Sequence, residues 1–300
     1  MTRLERLRIY PVKGLDGIDV DTATVRAGGT LDGDREFAVL DADGDPLNGK
    51  RTAAVHDLQT AFDPESGTLT VETPSGETTR FVLPDGRDRA AAWFSDVFEA
   101  EFTLERNDKQ GFVDRPDMGP SVVSTATLEA VASWFDGMTV DGARRRLRAN
   151  VEVSGVPAFW EDRFVGEGAP AFEIGGVRVE GVTPCGRCVV PERDPDTGEP
   201  TPEFRERFVR RREATFPEWA DADAFDHYYT LMTIARIPER DRGKALRVGD
   251  EVTVREGDRE RRRGLSHVEK IRLSGEHARE SARGGDPARH ATLITTSGDR

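Results

Sequence analysis

The chain has 300 residues, of which 43 are Lys or Arg and 56 are Asp or Glu, so its formal net charge at pH 7 is −13. This charge argues against general affinity for nucleic acid or for an anionic membrane surface, because both need a cationic footprint. No stretch approaches about 18 consecutive apolar residues and the N-terminus lacks an apolar signal-peptide centre, so we expect neither a transmembrane helix nor secretion.

The cysteine and lysine contents bear on the environment of the protein. Only two cysteines occur, which argues against a disulfide scaffold, favours a reducing compartment and predicts a cytoplasmic protein. Only five of the 43 basic residues are lysines. An acidic, lysine-poor chain is typical of a halophile, since high salt screens repulsion between carboxylates, but a GC-rich genome gives the same bias.

The first hundred residues read as short strands separated by turns. Apolar and β-branched runs occupy residues 4–12, 18–25 and 35–47, and residues 67–86 form a strong hairpin signal around Pro-Ser-Gly. A short helix is predicted at Ala90–Phe98, followed by one more strand. Strands at this spacing indicate a small β-barrel or sandwich.

The second half begins after a loop rich in Gly, Pro and Asp. Helices are predicted at 125–135, with Thr125 or Thr127 as N-cap, and at 202–216. Hairpins are predicted at 171–182 and 245–254. The expected fold is mostly β with peripheral helices. Its predicted parts are an N-terminal β-barrel-like domain (1–107), a second β-barrel-like domain (117–255) and a mobile charged tail (256–300).

Both cysteines, Cys185 and Cys188, lie in one Cys-Gly-Arg-Cys segment. A structural zinc site would need a second ligand pair, and a thioredoxin-type motif would need a helix that Pro191 and Pro195 disfavour. Two buried small side chains are the default for free cysteines, although the surrounding residues indicate a loop. The remaining interpretation is a thiolate ligand to a soft metal, with Arg187 supplying positive charge.

Several basic residues are candidates for an anion site. Four arginines occur within residues 144–148, directly before a predicted strand, and form either an anion pocket or a solvated rim. Lys13 follows a predicted strand and belongs to a scarce residue type, and Arg35 follows Gly-Asp. Bidentate arginine and point-charge lysine are the usual clamps for phosphate.

Taken in order, these segments resemble the MOSC family, named after the C-terminal domain of molybdenum-cofactor sulfurase, preceded by a MOSC N-terminal β-barrel domain. The resemblance covers about residues 3–254, and the pattern is most similar to the amidoxime-reducing molybdenum proteins. It is carried by Tyr-Pro-Val-Lys-Gly at 10–14, Gly-Asp-Arg-Glu-Phe-Ala-Val at 33–39, Arg-Ala-Asn at 148–150, the cysteine segment with Asp-Pro-Asp-Thr-Gly at 194–198, and Leu-Arg-Val-Gly-Asp at 246–250.

The resemblance implies a molybdenum–molybdopterin cofactor whose metal is ligated by Cys188. It implies that Lys13 and Arg35 bind the phosphate or the pterin of the cofactor. It also implies that Cys185 lies next to the ligating Cys188 and that Asn150 tethers the cofactor-binding loop. Cationic side chains are needed there because the phosphate, dithiolene and thiolate concentrate negative charge. The remaining cofactor-binding positions implied are Gly14, Ser124, Thr125, Arg148, Gly186 and Arg187.

The implied activity is reduction of small N-hydroxylated or N-oxide compounds. Electrons would come from a separate protein of the ferredoxin or cytochrome-reductase type, since we expect no iron–sulfur cluster in a chain with two cysteines. Two alternatives stay open. The first is a sulfur carrier with a persulfide on Cys188, and the second is a non-catalytic cofactor-binding module.

Overall fold

The computed structural model describes residues 1–83, 85–115 and 118–255, so the predicted charged tail of residues 256–300 lies outside the described residues. The helices are α1 (Arg87–Phe98), α2 (Thr125–Ser133), α3 (Val140–Leu147) and α4 (Phe204–Ala214). The strands are β1 (Arg3–Ile9), β2 (Val12–Lys13), β3 (Ile18–Val20), β4 (Thr22–Thr24), β5 (Phe37–Asp41), β6 (Gln59–Asp63), β7 (Thr68–Glu72), β8 (Thr78–Val82), β9 (Phe102–Arg106), β10 (Ser121–Ser124), β11 (Val151–Ser154), β12 (Ala171–Ile174), β13 (Val177–Gly186), β14 (Thr230–Arg236), β15 (Ala245–Arg247) and β16 (Val252–Arg255). The prediction of a mostly β chain with peripheral helices is confirmed.

The largest sheet has eight strands in the order β16-β12-β13-β14-β10-β11-β1-β3. Strand β1 pairs antiparallel with β11, while β10 and β11 run parallel. The sheet therefore combines strands from both predicted domains, which belong to one compact unit. Apolar side chains such as Leu4, Trp160 and Phe172 form its core. The domain boundary predicted between 107 and 117 stays a prediction.

The N-terminal half also forms two three-stranded sheets, β2-β5-β9 and β6-β7-β8. The predicted hairpin at 67–86 is confirmed, with Leu69 opposite Phe81 and a left-handed Gly76 in its turn. Helix α1 confirms the predicted helix and places Phe94 in this second core. Among the described residues the sheets are open, and none closes into a barrel.

Helices α2 and α4 cover the β10–β14 side of the large sheet. The apolar face of α2 is buried, and it shares a third core with the aromatic face of α4 that contains Phe204 and Phe208. The predicted N-cap of α2 was wrong. Ser124 caps the helix, because its hydroxyl accepts a hydrogen bond from the backbone N–H of Thr127 at 3.1 Å.

Three other predictions need correction. The segment 245–254 is not a hairpin, because β15 pairs with β4 whereas β16 pairs with β12. The arginine run lies on helix α3, which the sequence analysis missed. Cys185 lies on strand β13 and packs against the third core, so only Cys188 belongs to a loop. Within the described residues, no helix has both the length and the apolar character needed to cross a membrane.

Candidate functional site

A cavity of about 440 Å³ lies where five parts of the chain meet. These are the end of β2, residues 48–60, residues 113–115 with 118–121, the end of α3 and the turn after β13. Eight of the ten predicted site residues line it. The sequence motifs that carry the family resemblance therefore converge on one space. These eight residues are Lys13, Gly14, Arg35, Arg148, Asn150, Gly186, Arg187 and Cys188.

The cavity wall is strongly cationic. Nine lysines and arginines line it against three aspartates, although the whole chain carries a charge of −13. Such a concentration of like charge needs bound anions or internal partners to be stable. The basic residues are Lys13, Arg35, Lys50, Arg115, Arg145, Arg146, Arg148, Arg187 and Arg193, and the acidic residues are Asp16, Asp34 and Asp114.

Two of the arginines contact the ring of the same buried tyrosine. The guanidinium carbon of Arg148 lies 4.0 Å from the ring centroid of Tyr10, and that of Arg35 lies 5.1 Å from it. Arg148 also donates to the carbonyl oxygen of Leu15 at 2.7 Å, while Arg35 pairs with Asp34. The electron-rich ring face lets two cations approach the cavity from neighbouring loops.

The pKa values of Arg148 and Arg35 are shifted in opposite directions by their surroundings. Burial lowers the pKa of Arg148, and the nearby Arg35 adds to the effect. Burial also disfavours the charge of Arg35, but the carboxylate of Asp34 outweighs this and raises the pKa of Arg35. Arg148 therefore keeps its charge in surroundings that disfavour it.

Lys13 lies beside a carboxylate in the cavity wall. Its Nζ is 2.6 Å from Oδ1 of Asp114, and Nζ of Lys50 is 3.5 Å from Oδ2 of the same residue. Burial opposes ionisation of Asp114, but the two lysines hold its pKa below the ordinary value. Sequence reasoning missed Lys50 and Asp114. The scarcity of lysine, which singled out Lys13, was an available signal for Lys50.

The two cysteines have different surroundings. We call residues 187–192, which follow β13, the cysteine turn. Arg187 donates from Nη1 to the sulfur of Cys185 at 3.2 Å and from Nη2 to the carbonyl oxygen of Leu147 at 2.9 Å. Both cysteines are half-buried and line the cavity. The sequence left open which of the two thiolates Arg187 would stabilise, and the structure places Arg187 against the sulfur of Cys185.

The arginines of α3 hold the loop that follows the cysteine turn. Arg145 pairs with Asp196 at 2.6 Å, and Arg146 pairs with Asp194 at 3.1 Å. Arg146 also donates to the carbonyl oxygen of Pro191 at 3.2 Å. The run is therefore not a solvated rim. Part of it braces the Asp-Pro-Asp-Thr-Gly loop that borders the cavity.

Ser124 and Thr125 do not line the cavity, contrary to the prediction. Ser124 is fully buried and its hydroxyl is used as the α2 cap, while the hydroxyl of Thr125 donates to Glu152 at 2.9 Å. The serine that lines the cavity is Ser121, at the other end of β10.

Asn150 joins three segments behind the cavity wall. Its side-chain oxygen accepts hydrogen bonds from the backbone N–H and the hydroxyl of Ser121, both at 3.2 Å. Its side-chain amide donates to the carbonyl oxygen of Arg8 at 3.1 Å. These bonds tie the start of β11 to β10 and β1, which is the tethering role expected of Asn150.

His56 is a cavity residue for which the sequence offered no signal. Its ring packs against Gly49, where an added Cβ would lie 2.4 Å from Nε2. That Nε2 is buried and has no hydrogen-bond partner among the described residues. Burial lowers the pKa of His56, and the charges of Arg193 and Arg148 lower it further.

Comparison with known proteins agrees with this arrangement. Residues 1–139 match the MOSC N-terminal beta barrel domain and residues 116–259 match the MOSC domain. Mitochondrial amidoxime reducing component 2 from Bos taurus and from Homo sapiens are each 27% identical to this chain, over 65% and 64% of it and 67% of each relative. Mitochondrial amidoxime-reducing component 1 from Xenopus laevis is 24% identical over 83% of this chain and 81% of the relative. The chain therefore belongs to the MOSC family, with an N-terminal MOSC β-barrel domain followed by a MOSC domain.

Proposed function

We propose that this protein binds a molybdenum–molybdopterin cofactor in the cavity and reduces N-hydroxylated or N-oxide compounds. The observation that carries the proposal is the cavity wall, where nine cations and three carboxylates surround a half-buried cysteine in an otherwise acidic chain. A phosphate, a dithiolene and a thiolate together need such a wall. The names of the amidoxime-reducing relatives support the choice of reaction.

The residues present fit this anionic group. Arg187 and Arg193 form no ion pair with a carboxylate among the described residues, and the Nε atom of each is buried without a hydrogen-bond partner there. Arg148 likewise forms no ion pair with a carboxylate in the described ranges. These three guanidiniums, with Lys13 and Arg35, are the groups that would hold the phosphate and the pterin.

Cys188 would ligate the metal. A thiolate is a soft ligand that suits molybdenum or tungsten bound to a dithiolene. When bound, the cofactor supplies the two-electron chemistry that cleaves the N–O bond, consuming two electrons and two protons and releasing water. The chain's own task is to bind the anion, present the thiol and exclude competing ligands. We propose that a separate donor protein supplies the electrons.

The test is the metal content of the purified chain. We expect near-stoichiometric molybdenum or tungsten, measured by mass spectrometry, in protein from a cofactor-producing host. Cys188→Ser should lose the metal. Cys185→Ser is the matched control and should retain it, because Cys185 also lines the cavity but packs against the third core and is in contact with Arg187. Reduction of an N-hydroxylated compound with a reduced dye then tests the reaction.

Two results would contradict the proposal. Retention of metal in Cys188→Ser would show that this sulfur is not the ligand. A folded protein from a cofactor-producing host that carries no metal would favour the alternative of a sulfur carrier, in which Cys188 holds a persulfide.

A further inference from the structure

Tyr229 contacts the cysteine turn from behind the cavity wall. It directly precedes β14 and is buried, with 3% of its surface exposed. Its backbone carbonyl oxygen accepts a hydrogen bond from the backbone N–H of Arg187 at 2.9 Å. Its hydroxyl lies 3.2 Å from the carbonyl oxygen of Cys188. Tyr229 therefore binds the turn at two points, the peptide group that precedes Arg187 and the peptide group that follows Cys188.

The ring of Tyr229 is itself fixed by its neighbours. It packs edge-on against Phe208 of α4, with ring centroids 5.3 Å apart. The guanidinium of Arg205 lies over its face at 5.0 Å. The hydroxyl therefore points at the turn from a rigid base and does not follow the turn when it moves.

The hydroxyl has a second acceptor on the same turn. Oε1 of Glu192 lies 3.1 Å from it. Burial raises the pKa of Tyr229, and the neighbouring Glu192 raises it further, so the phenol keeps its proton. Because a phenol has one proton to donate, the carbonyl oxygen of Cys188 and the carboxylate of Glu192 compete for it, and variants can separate the two contacts.

We propose that Tyr229 is a positioning residue for Cys188, acting through the hydrogen bond from its hydroxyl to the Cys188 carbonyl oxygen. This bond keeps the turn closed, so that the thiol is presented to the cavity and not to bulk water. The importance of that thiol rests on the proposed function, in which Cys188 ligates the metal.

The experiment measures the alkylation rate of Cys188 in the full chain, produced in a host that makes no molybdopterin and kept reduced. Peptide mass spectrometry separates Cys188 from Cys185, which serves as the internal reference. Tyr229→Phe keeps the ring packing and removes the hydroxyl. Losing one net hydrogen bond should populate the open turn more and raise the Cys188 rate about fivefold, with Cys185 unchanged.

Two control variants sharpen the result. Tyr228→Phe is the matched control, since this adjacent ring packs on Phe216 and its hydroxyl has no hydrogen bond among the described residues. Its Cys188 rate should equal that of the unmodified chain. Glu192→Ala removes the competing acceptor and leaves the phenol proton for the carbonyl oxygen of Cys188, so its Cys188 rate should stay unchanged or fall.

Three outcomes would overturn the inference. These are an unchanged Cys188 rate in folded Tyr229→Phe, equal acceleration of both cysteines, and a Glu192→Ala variant that behaves like Tyr229→Phe. Metal content is measured separately in protein from a cofactor-producing host. A chain that binds no metal but shows the alkylation pattern would refute the proposed function and leave the positioning role of Tyr229 intact.

Discussion

Replacing Arg148 by Met separates the binding role of this residue from its structural role. Methionine keeps an apolar side chain of similar length against the Tyr10 ring and removes the charge. In the native chain the guanidinium lies 4.0 Å from that ring and 2.7 Å from the carbonyl oxygen of Leu15. The substitution therefore removes one charged hydrogen bond and one cation–π contact, while the backbone at φ +58° stays as it is.

The expected change in folding stability is small because opposing effects nearly cancel. A hydrogen bond to a charged group contributes about 1.5–3 kcal/mol, and a cation–π contact about 0.5–2 kcal/mol. Burial lowers the pKa of Arg148, so its surroundings disfavour the charge and its removal offsets part of this loss. We expect the free energy of unfolding to change by no more than about 2 kcal/mol. For a bound anion, the loss of its interaction with the guanidinium is not compensated in this way. The affinity of the cavity for the anion should therefore fall about 10- to 100-fold.

The assay compares molybdenum retained after dialysis with the free energy of urea unfolding for each variant. Arg163→Met is the matched control. Burial lowers the pKa of Arg163 as well, and its guanidinium lies over an aromatic ring, that of Trp219, at 5.5 Å. Arg163 is absent from the cavity wall, so its variant should keep the metal. Full metal retention in Arg148→Met, or a loss of stability well above about 3 kcal/mol in that variant alone, would refute the reasoning.

Three further substitutions test other parts of the molecule. Lys13→Ala should lower metal retention without unfolding the chain, and full occupancy in the folded variant would contradict an anion-binding role for this lysine. Ser124→Ala should cost about 1 kcal/mol in unfolding free energy through loss of the α2 cap and leave the metal content unchanged; metal loss at unchanged stability would restore Ser124 to the site. Glu161 is fully buried, and burial together with Asp162 raises its pKa to about 8, so the folded protein holds a proton there that the unfolded chain releases above about pH 4.5. Stability from this group is present at low pH and lost as pH rises toward 8, and Glu161→Gln should flatten that fall in urea unfolding between pH 5 and 8. A parallel fall in the Gln variant would show that other groups cause it.

Short motifs predicted which residues line one cavity better than they predicted the fold around it. Lys13, Arg35, Arg148 and Cys188 could be grouped in advance because the family resemblance relates segments that are far apart in sequence. The serine was placed wrongly, although Ser124 stands three residues before Thr127, the spacing of a helix cap. This spacing is a local signal that Ser124 caps α2, whereas the family resemblance implied that Ser124 binds the cofactor.

The errors in the fold have a common physical origin. The Gly-Asp sequence at 249–250 correctly predicted a turn between β15 and β16. The two strands do not pair with each other, because burial of apolar side chains in the core decides which strands they pair with. Strand β15 buries Leu246 against β4, and β16 lies beside β12. His56 and Asp114 come from loops without periodicity, so only the three-dimensional structure could bring them to the cavity.

Backbone strain gives an independent reason to place the site at this cavity. Among the described residues, six positions other than glycine have positive φ, and three of them, Arg35, Arg148 and Met232, line the cavity. A left-handed conformation costs such a residue roughly 1 kcal/mol, which glycine would avoid. At Arg148 this conformation ends α3, a position where glycine is the usual residue. Glycine there would remove the strain and also the guanidinium beside Tyr10. The chain accepts strained backbone at the two positions from which arginines reach this ring, as expected if their charge serves a bound anion and not the stability of the fold.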